Sequence, residues 1–271
     1  MNVFRKVYRK IFPPANGFGR ALRQFGAETK EPVVVPAGTP SEPAGSVYDC
    51  WKTTDNGHKW IHYFEVYEQL FAHFENAPIR ILEIGVYKGG SLETWCRALP
   101  AGSTVVGIDI NPECANFAGK YGENEANVRI GDQGDRAFLQ EITQEFGPFD
   151  VVIDDGSHFS SHIIKSFTFL FPNALRPDGL YLVEDTHACY WASHQDQAYT
   201  GIAFFKDLVD VMHRHFKDHN RVFHFLEGSD KRVKELVLPA IAADVKEIRF
   251  LDSMVVIHKS KTRSLPTVKH L

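Results

Sequence analysis

Two acidic clusters in this chain each follow a strand-like apolar run. The sequence Asp-Asp-Gly-Ser-His at 154–158 comes directly after the run 149–153, and Glu-Asp-Thr-His at 184–187 comes directly after the run 179–183. If the two runs are parallel neighbouring strands, their carboxylates meet at one edge of a sheet, where open α/β sheets bind ligands. Carboxylate oxygens suit a hard divalent cation, and a neutral imidazole beside them suits proton abstraction. The sequence therefore predicts a metal site with a base next to it.

A glycine-rich turn, Gly-Val-Tyr-Lys-Gly-Gly-Ser at 85–91, follows the first predicted strand and opens a helix. It lacks the Gly-x-Gly-x-x-Gly spacing of dinucleotide sites. Glu83 just before it disfavours a pyrophosphate, so a cationic ligand without phosphate fits better. Asp109 ends the next strand and can accept hydrogen bonds from two ribose hydroxyls, and Asp132 ends the third strand and can accept one from an adenine amino group. Together these positions outline a pocket for S-adenosylmethionine (SAM).

The composition is that of an ordinary soluble enzyme. The chain has 271 residues, of which 44% are hydrophobic and 24% charged, and its formal net charge is −4. This length suits one large α/β domain, and the slight acidity argues against a nucleic-acid partner. The four cysteines are widely spaced without a Cys-x-x-Cys pair, so we predict neither a zinc knuckle nor a disulfide framework and expect a cytoplasmic location. No apolar run approaches the roughly 20 residues that span a bilayer.

The first 45 residues differ from the rest of the chain. Residues 1–12 place six apolar side chains on one half of a helical wheel and four basic ones on the other, and Pro13-Pro14 ends the pattern. A Pro/Gly/Ala-rich linker follows as far as Gly45. We expect a basic amphipathic helix that contacts an anionic membrane surface peripherally, or that docks on the domain or on a partner subunit. The ligand-binding domain is predicted for residues 46–271.

Alternating strand and helix patterns predict the fold class. Five apolar runs between residues 79 and 183 alternate with helical patterns, and two short β-rich runs at 247–251 and 254–258 flank a turn at Asp252-Ser253. We predict an α/β fold with a doubly wound, mostly parallel seven-stranded sheet, an antiparallel terminal hairpin and a short N-terminal helical extension.

These motifs resemble those of class I SAM-dependent methyltransferases. Within that class they are similar to the metal-dependent macrolide sugar O-methyltransferases of the mycinamicin and tylosin pathways, with cephalosporin-hydroxylase-like proteins as relatives. The resemblance covers about residues 50–260 and depends most on the clusters at 154–158 and 184–185, with Leu-Glu-Ile-Gly at 82–85 and Gly-Asp-Gln at 131–133 in support. It implies a Rossmann-like methyltransferase domain at 46–271 that methylates a sugar hydroxyl of a glycan or glycosylated metabolite.

The resemblance also implies a role for individual residues. Magnesium would bind Asp155, Glu184 and Asp185, and His158 would be the general base, with His187 as a second candidate. The expected cofactor-binding residues are Glu83, Gly85, Gly89, Ser91, Asp109, Asp132, Gln133 and Asp154. Because neighbouring side chains at a strand end point in opposite directions, Asp154 is expected to support the loop and not to bind metal. Zinc is disfavoured because the ligand set is all oxygen.

Several alternatives stay open on the residues alone. An NAD-dependent oxidoreductase would use a similar sheet, an O-methyltransferase of a small catechol-like acceptor would use the same metal site, and a membrane-associated module would bind ligand without catalysis. His162 is expected to cap a helix or face solvent. The aromatic residues Trp60, Tyr63, Tyr67 and Trp191 would either roof an acceptor pocket or pack in the core. The sequence also leaves open a homo-oligomeric assembly.

Overall fold

The computed structural model describes residues 38, 41–74, 77–262, 264 and 266–269. Glu42–Leu271 form one compact unit. The amphipathic helix predicted for residues 1–12 lies outside the described residues. In the part of the chain that is described, every helix is too short or too polar to cross a bilayer.

A seven-stranded sheet lies at the centre of the described structure. Its strands are β1 Arg80–Ile84, β2 Thr104–Asp109, β3 Ala126–Ile130, β4 Phe149–Asp154, β5 Leu175–Val183, β6 Val245–Leu251 and β7 Met254–Lys259. Their order is β3-β2-β1-β4-β5-β7-β6. β1 to β5 are parallel, whereas β7 runs antiparallel to both β5 and β6. The predicted doubly wound sheet with an antiparallel terminal hairpin is confirmed.

Helices connect and flank the strands. The α-helices are α1 Ser46–Trp51, α2 Tyr63–Phe71, α3 Gly90–Ala98, α4 Arg136–Phe146, α5 Ser160–Asn173, α6 Gly201–Met212, α7 His215–Asp218 and α8 Ala240–Asp244. Short 3₁₀-helices span Ala72–Phe74, Pro112–Phe117, Thr186–Tyr190, Ala192–His194 and Val222–His224. The segment from Pro112 was expected to form an α-helix, but it is only a 3₁₀-helix, since Gly119 and Gly122 turn the chain through positive φ angles soon afterwards.

Successive strand residues enter two separate hydrophobic cores. Ile81 and Val151 pack in one core with Trp95 of α3, whereas the neighbouring Leu82 packs in the other with Phe167 of α5. Side chains alternate across a strand, so helices on both faces bury most positions of the central strands. This explains why the strands appear in the sequence as continuous apolar runs.

The register of the parallel strands sets the position of the acidic clusters. Ile84 at the end of β1 pairs with Asp154 of β4, and Asp154 pairs with Val183 of β5. The ladder continues for one more residue, because Asp155 N–H donates to Ile84 O and Glu184 N–H donates to Asp154 O, each at 2.9 Å. The residues that follow these three strands therefore lie side by side at one edge of the sheet.

Candidate active site

An open cavity of about 710 Å³ lies over the carboxyl ends of β1 to β5. This size falls within the usual range of small-molecule sites, roughly 300–1,000 Å³. The predicted site residues that line the cavity are Gly85, Asp109, Asp132, Gln133, Asp155, His158, Glu184 and Asp185. The remaining predicted residues, which are not part of the lining, are Glu83, Gly89, Ser91 and Asp154. The structure thus brings most of the predicted residues to one cavity.

Asp155, His158 and Asp185 form a group that could hold a metal ion. One ligand atom from each lies within 4.8 Å of the others. His158 Nε2 is 3.9 Å from Asp155 Oδ1 and 3.8 Å from Asp185 Oδ2, and all three side chains are half-buried. Carboxylate oxygens are the donors that hard divalent cations prefer, so the donor set fits Mg²⁺ or Mn²⁺. Sequence reasoning placed Asp155 and Asp185 among the ligands and His158 beside them as a base.

Two residues of this group have a backbone conformation that is unusual for residues other than glycine. His158 has φ of 58° and Asp185 has φ of 51°. Such left-handed conformations cost about 1–3 kcal/mol each and persist where the surrounding structure imposes them, often at functional sites. His158 lies just before α5, and Asp185 precedes the 3₁₀-helix Thr186–Tyr190. The strained turns point both side chains toward the same space.

Glu184, the third predicted metal ligand, is engaged by other side chains. It is 1% exposed, its Oε2 lies 2.7 Å from Lys59 Nζ, and its Oε1 accepts a short hydrogen bond from the Tyr67 hydroxyl. Lys59 also lies 2.6 Å from Asp155 Oδ2. Burial by itself lowers the pKa of the Lys59 ammonium, but the carboxylates of Asp155 and Glu184 outweigh it and raise that pKa well above its ordinary value. Glu184 thus lies beside the three-residue group and is joined to it through Lys59.

Tyr63 fixes the orientation of the Asp185 carboxylate. Its hydroxyl lies 2.8 Å from Asp185 Oδ1 and accepts the Asp185 N–H at 3.1 Å, which leaves Oδ2 directed at His158. The same hydroxyl lies 3.0 Å from the carbonyl of Ser253, in the turn between β6 and β7. Burial raises the pKa of the Tyr63 phenol far above its ordinary value, so it remains a neutral donor. Tyr63 and Tyr67 are buried supports of the carboxylates. Tyr63 also lines the cavity, whereas Tyr67 is not part of the lining.

Asp154 lies beneath the cavity. It is 1% exposed and accepts hydrogen bonds from Gln133 Nε2 at 3.0 Å and from Ser166 Oγ at 2.5 Å. Gln133 Oε1 in turn accepts the Ser157 N–H at 2.7 Å. Asp154 therefore anchors the loop that carries His158, as its place next to Asp155 led us to expect. The other prediction for Asp154, a contact with a cofactor, has no support in this geometry.

Asp109 and Asp132 both line the cavity and also order their own loops. Asp109 Oδ2 accepts the N–H groups of Val86 and Tyr87, each at 2.9 Å. Asp132 Oδ1 accepts the Gly134 N–H at 2.7 Å. A carboxylate oxygen has two lone pairs, so both residues keep acceptor capacity toward the cavity, where ribose and adenine are expected.

Glycines of the turn after β1 allow close packing. Gly85 has φ of 96°, and a Cβ there would lie 2.1 Å from the carbonyl oxygen of Asp155. A Cβ at Gly89 would meet Phe117 and Tyr121 at 2.8 Å, so Gly89 serves packing beside the turn. Ser91 is half-buried in the first turn of α3 and is not part of the cavity lining.

Glu83 is a buried carboxylate with one oxygen available. Its side chain is 0% exposed, and Trp95 Nε1 donates to its Oε1 at 3.1 Å. Its Oε2 has no hydrogen-bond partner within the described ranges. A buried acceptor of this kind fits an ammonium donor, since unpaired buried polar atoms cost about 1–3 kcal/mol. Burial raises the pKa of Glu83 to about 7.

Sequence reasoning missed Lys59 and undervalued His162. Lys59 belongs to an aromatic and polar segment and reaches Asp155 across 96 residues, so no local pattern signals the contact. His162 lines the cavity and its Nδ1 lies 2.9 Å from Ser157 Oγ. Its position one helical turn after His158 was the available signal.

Comparison with known proteins identifies the class to which this site belongs. Residues 82–186 match the Methyltransf_24 family model, described as a methyltransferase domain. The match begins within β1 and ends just after β5, and it includes most of the residues that line the cavity. These residues are therefore a methyltransferase domain.

Curated relatives of this chain are named as O-methyltransferases. The chain is 38% identical over 191 residues to the 8-demethyl-8-alpha-L-rhamnosyl tetracenomycin-C 2'-O-methyltransferase of Streptomyces olivaceus, an alignment that covers 66% of this chain and 48% of the relative. It is 34% identical over 225 residues to the mycinamicin VI 2''-O-methyltransferase of Micromonospora griseorubida, covering 75% of this chain and 54% of the relative. The chain thus spans about half the length of these curated relatives.

A solved structure shares the architecture. The MycE methyltransferase of mycinamycin biosynthesis, in complex with Mg, SAH and mycinamycin VI, matches with a TM-score of 0.62 and 28% sequence identity. The superposition covers 79% of this chain and 52% of that protein. The predicted resemblance to metal-dependent macrolide sugar O-methyltransferases is confirmed at the level of the domain and its fold.

Proposed function

We propose that this chain is a SAM-dependent and Mg²⁺-dependent O-methyltransferase that modifies a sugar hydroxyl of a glycosylated small molecule. The observation that carries the proposal is the convergence of His158 Nε2 with Asp155 Oδ1 and Asp185 Oδ2 in one cavity wall. Asp109 and Asp132 line the same cavity after β2 and β3. Relatives named for 2'-O- and 2''-O-methylation of glycosylated compounds support the acceptor class.

The reaction requires an oriented and deprotonated acceptor. A sugar hydroxyl is a weak nucleophile at neutral pH, whereas the methyl group of SAM is already activated by the sulfonium charge. His158 would take the hydroxyl proton at Nε2 while the acceptor oxygen bonds to the methyl carbon of SAM, whose carbon–sulfur bond breaks so that the sulfur leaves as a neutral thioether. A base must lie within hydrogen-bond reach of the proton it removes, and His158 lies at the cavity surface, where an acceptor can approach.

The carboxylates position the acceptor and the cofactor. Asp155 and Asp185 would hold Mg²⁺, which when bound lowers the pKa of a hydroxyl and fixes two vicinal hydroxyls. Tyr63 keeps one oxygen of Asp185 occupied, so the other faces His158. The free oxygen of Glu83 would accept from the ammonium group of SAM. Together these residues separate the acceptor end of the cavity from the nucleoside end.

The test is methylation of defined acceptors. The purified chain is incubated with SAM, Mg²⁺ and a panel of macrolide glycosides and polyketide rhamnosides, and products are identified by mass spectrometry. We expect one added methyl group on a sugar, loss of turnover with excess chelator and recovery when Mg²⁺ is restored. Methylation of a catechol in a parallel reaction, with every glycoside unchanged, would contradict the sugar acceptor and support a small catechol-like acceptor. Thermal stabilisation by NAD and not by SAM would contradict the proposal as a whole.

We further propose that the enzyme works in the cytoplasm with residues 1–12 in peripheral contact with an anionic membrane. The support is the separation of apolar from basic residues in that segment.

A further inference from the structure

Two tryptophan side chains in the cavity wall remain half-exposed. Trp60 and Trp191 are each 51% exposed, and both line the cavity. In contrast, Trp95 is 1% exposed and belongs to the core. Indoles offer a large rigid apolar surface, and their exposure inside a ligand cavity is typical of a binding surface.

An imidazole joins the two indoles. The His187 ring centroid lies 5.6 Å from that of Trp60 and 4.6 Å from that of Trp191, and both contacts are edge-to-face. Trp191 also lies 5.7 Å from His194, which lies 6.4 Å from His158. The rings therefore form a continuous aromatic wall, made of Trp60, His187 and Trp191, that leads to the proposed base.

Backbone hydrogen bonds hold this aromatic wall in place. Trp60 O accepts the Tyr63 N–H at 3.0 Å just before α2 begins, and Trp191 N–H donates to Ala188 O at 2.9 Å at the end of a 3₁₀-helix. His187 follows Asp185 by two residues, so the wall is built on the same turn as the metal group. A preformed apolar surface binds a ligand without the cost of ordering it.

We infer that the aromatic wall binds the acceptor of the methyl transfer and selects for a pyranose ring carried on an apolar aglycone. This inference rests on the proposed function. A pyranose has faces made of C–H groups and an edge made of hydroxyls. The C–H face packs against the indoles, and the hydroxyl edge then points across the cavity to His158 and the carboxylates. The two indoles on either side of His187 together present more apolar surface than one sugar ring covers. The aglycone next to the sugar therefore packs against the rest of that surface.

Kinetics on the intact chain test the inference. In Trp60→Ala and Trp191→Ala, the KM for a glycoside acceptor should rise by about three- to tenfold for each indole, because aromatic contacts contribute roughly 0.5–1.5 kcal/mol beyond their buried area. The KM for SAM should not change, and Trp191→Phe should retain most of the acceptor affinity. Tyr190→Ala is the matched control, because Tyr190 is 65% exposed and adjacent to Trp191 but is not part of the cavity lining.

Fluorescence provides a measurement that does not depend on turnover. Titration of the glycoside into the SAH-bound chain should quench indole emission in the wild type and should do so far less in the double variant Trp60→Phe, Trp191→Phe, whose remaining indoles are Trp51 and the buried Trp95. A wild type that methylates no glycoside contradicts the proposed function. A wild type that methylates a glycoside, together with Trp variants of unchanged acceptor KM and unchanged quenching, overturns the inference alone.

Discussion

Lys59 Nζ lies 2.6 Å from Asp155 Oδ2 and is the buried cation of the carboxylate cluster. Its side chain is 4% exposed, and it also lies 2.7 Å from Glu184 and 3.9 Å from Glu83. Together with Asp185, these residues supply four carboxylates against one ammonium, which leaves three formal negative charges. One divalent cation and one SAM molecule, with its sulfonium, ammonium and carboxylate, together carry three positive charges. The cluster is therefore suited to hold both at once.

Lys59→Met should destabilise the protein and increase its response to metal. Removing one partner of a buried charge pair costs about 3–5 kcal/mol, because the remaining charges stay buried without compensation. A divalent cation can supply part of the missing charge. Chemical denaturation should show the loss in free energy of unfolding, and Mn²⁺ should raise the Tm more in the variant than in the wild type.

Lys52→Met is the control for this experiment. Lys52 pairs with Asp49 at 2.9 Å on the surface, where its side chain is 40% exposed, so its removal should change the stability little. Equal losses in the two variants, or an identical response to Mn²⁺ in Lys59→Met and wild type, would show that Lys59 does not compensate the cluster.

His158→Ala should lower the rate of the chemical step by about 10²–10⁴-fold, the usual contribution of a general base. SAM binding should be retained, because His158 lies at the acceptor end of the cavity. Single-turnover measurements separate the chemical step from product release, and isothermal titration measures SAM binding. A decrease below about tenfold would contradict the assignment of His158 as the base. His187 would then be the next candidate, and His187→Ala would test it.

Glu83→Gln should increase the stability of the folded protein and weaken its binding of SAM. The pKa of Glu83 is raised to about 7 by burial, above its ordinary value of 4.5, so ionisation of this carboxylate destabilises the folded state. That cost begins above pH 4.5, grows until about pH 7 and is constant beyond it, at about 3 kcal/mol. The variant should therefore gain stability over the wild type as pH rises through this window.

The same variant should bind SAM at least about tenfold more weakly, because a neutral amide replaces the charged acceptor for its ammonium. Stability is measured by denaturation at pH 5 and pH 8, and binding by calorimetry. Glu125→Gln, which alters an exposed residue, should leave both quantities unchanged. Unaltered SAM affinity in Glu83→Gln would place the ammonium elsewhere.

Residues 1–12 should bring the chain to anionic vesicles at low salt. Each of the four basic residues contributes about 1 kcal/mol near such a surface, and salt screens the attraction. Co-sedimentation with vesicles is compared for the full chain and for a chain that starts at Pro32. Equal partitioning of the two would exclude membrane contact by this segment.

The alternation of strands with helices and the acidic edge were predictable, because both depend on short-range patterns. Apolar runs followed by glycine or carboxylate mark strand ends, and alternation along β4 correctly separated Asp154, which points into the protein, from Asp155, which lines the cavity. The contacts of Lys59, Tyr63 and Tyr67 were not predictable, since they join side chains more than 95 residues apart. Such contacts depend on how α2 and the segment before it pack against the sheet, for which the local sequence carries no signal.

The close approach of Gly85 to Asp155 has a thermodynamic consequence. A Cβ at Gly85 would lie only 2.1 Å from the Asp155 carbonyl oxygen, so the backbones of the two loops are in direct contact. A ligand that displaced the glycine turn would displace the Asp155 backbone with it, which would link the affinity for cofactor to the affinity for metal. By reciprocity each ligand changes the affinity of the other by the same factor. If the coupling is positive, departure of the spent cofactor would also weaken the binding of the cation.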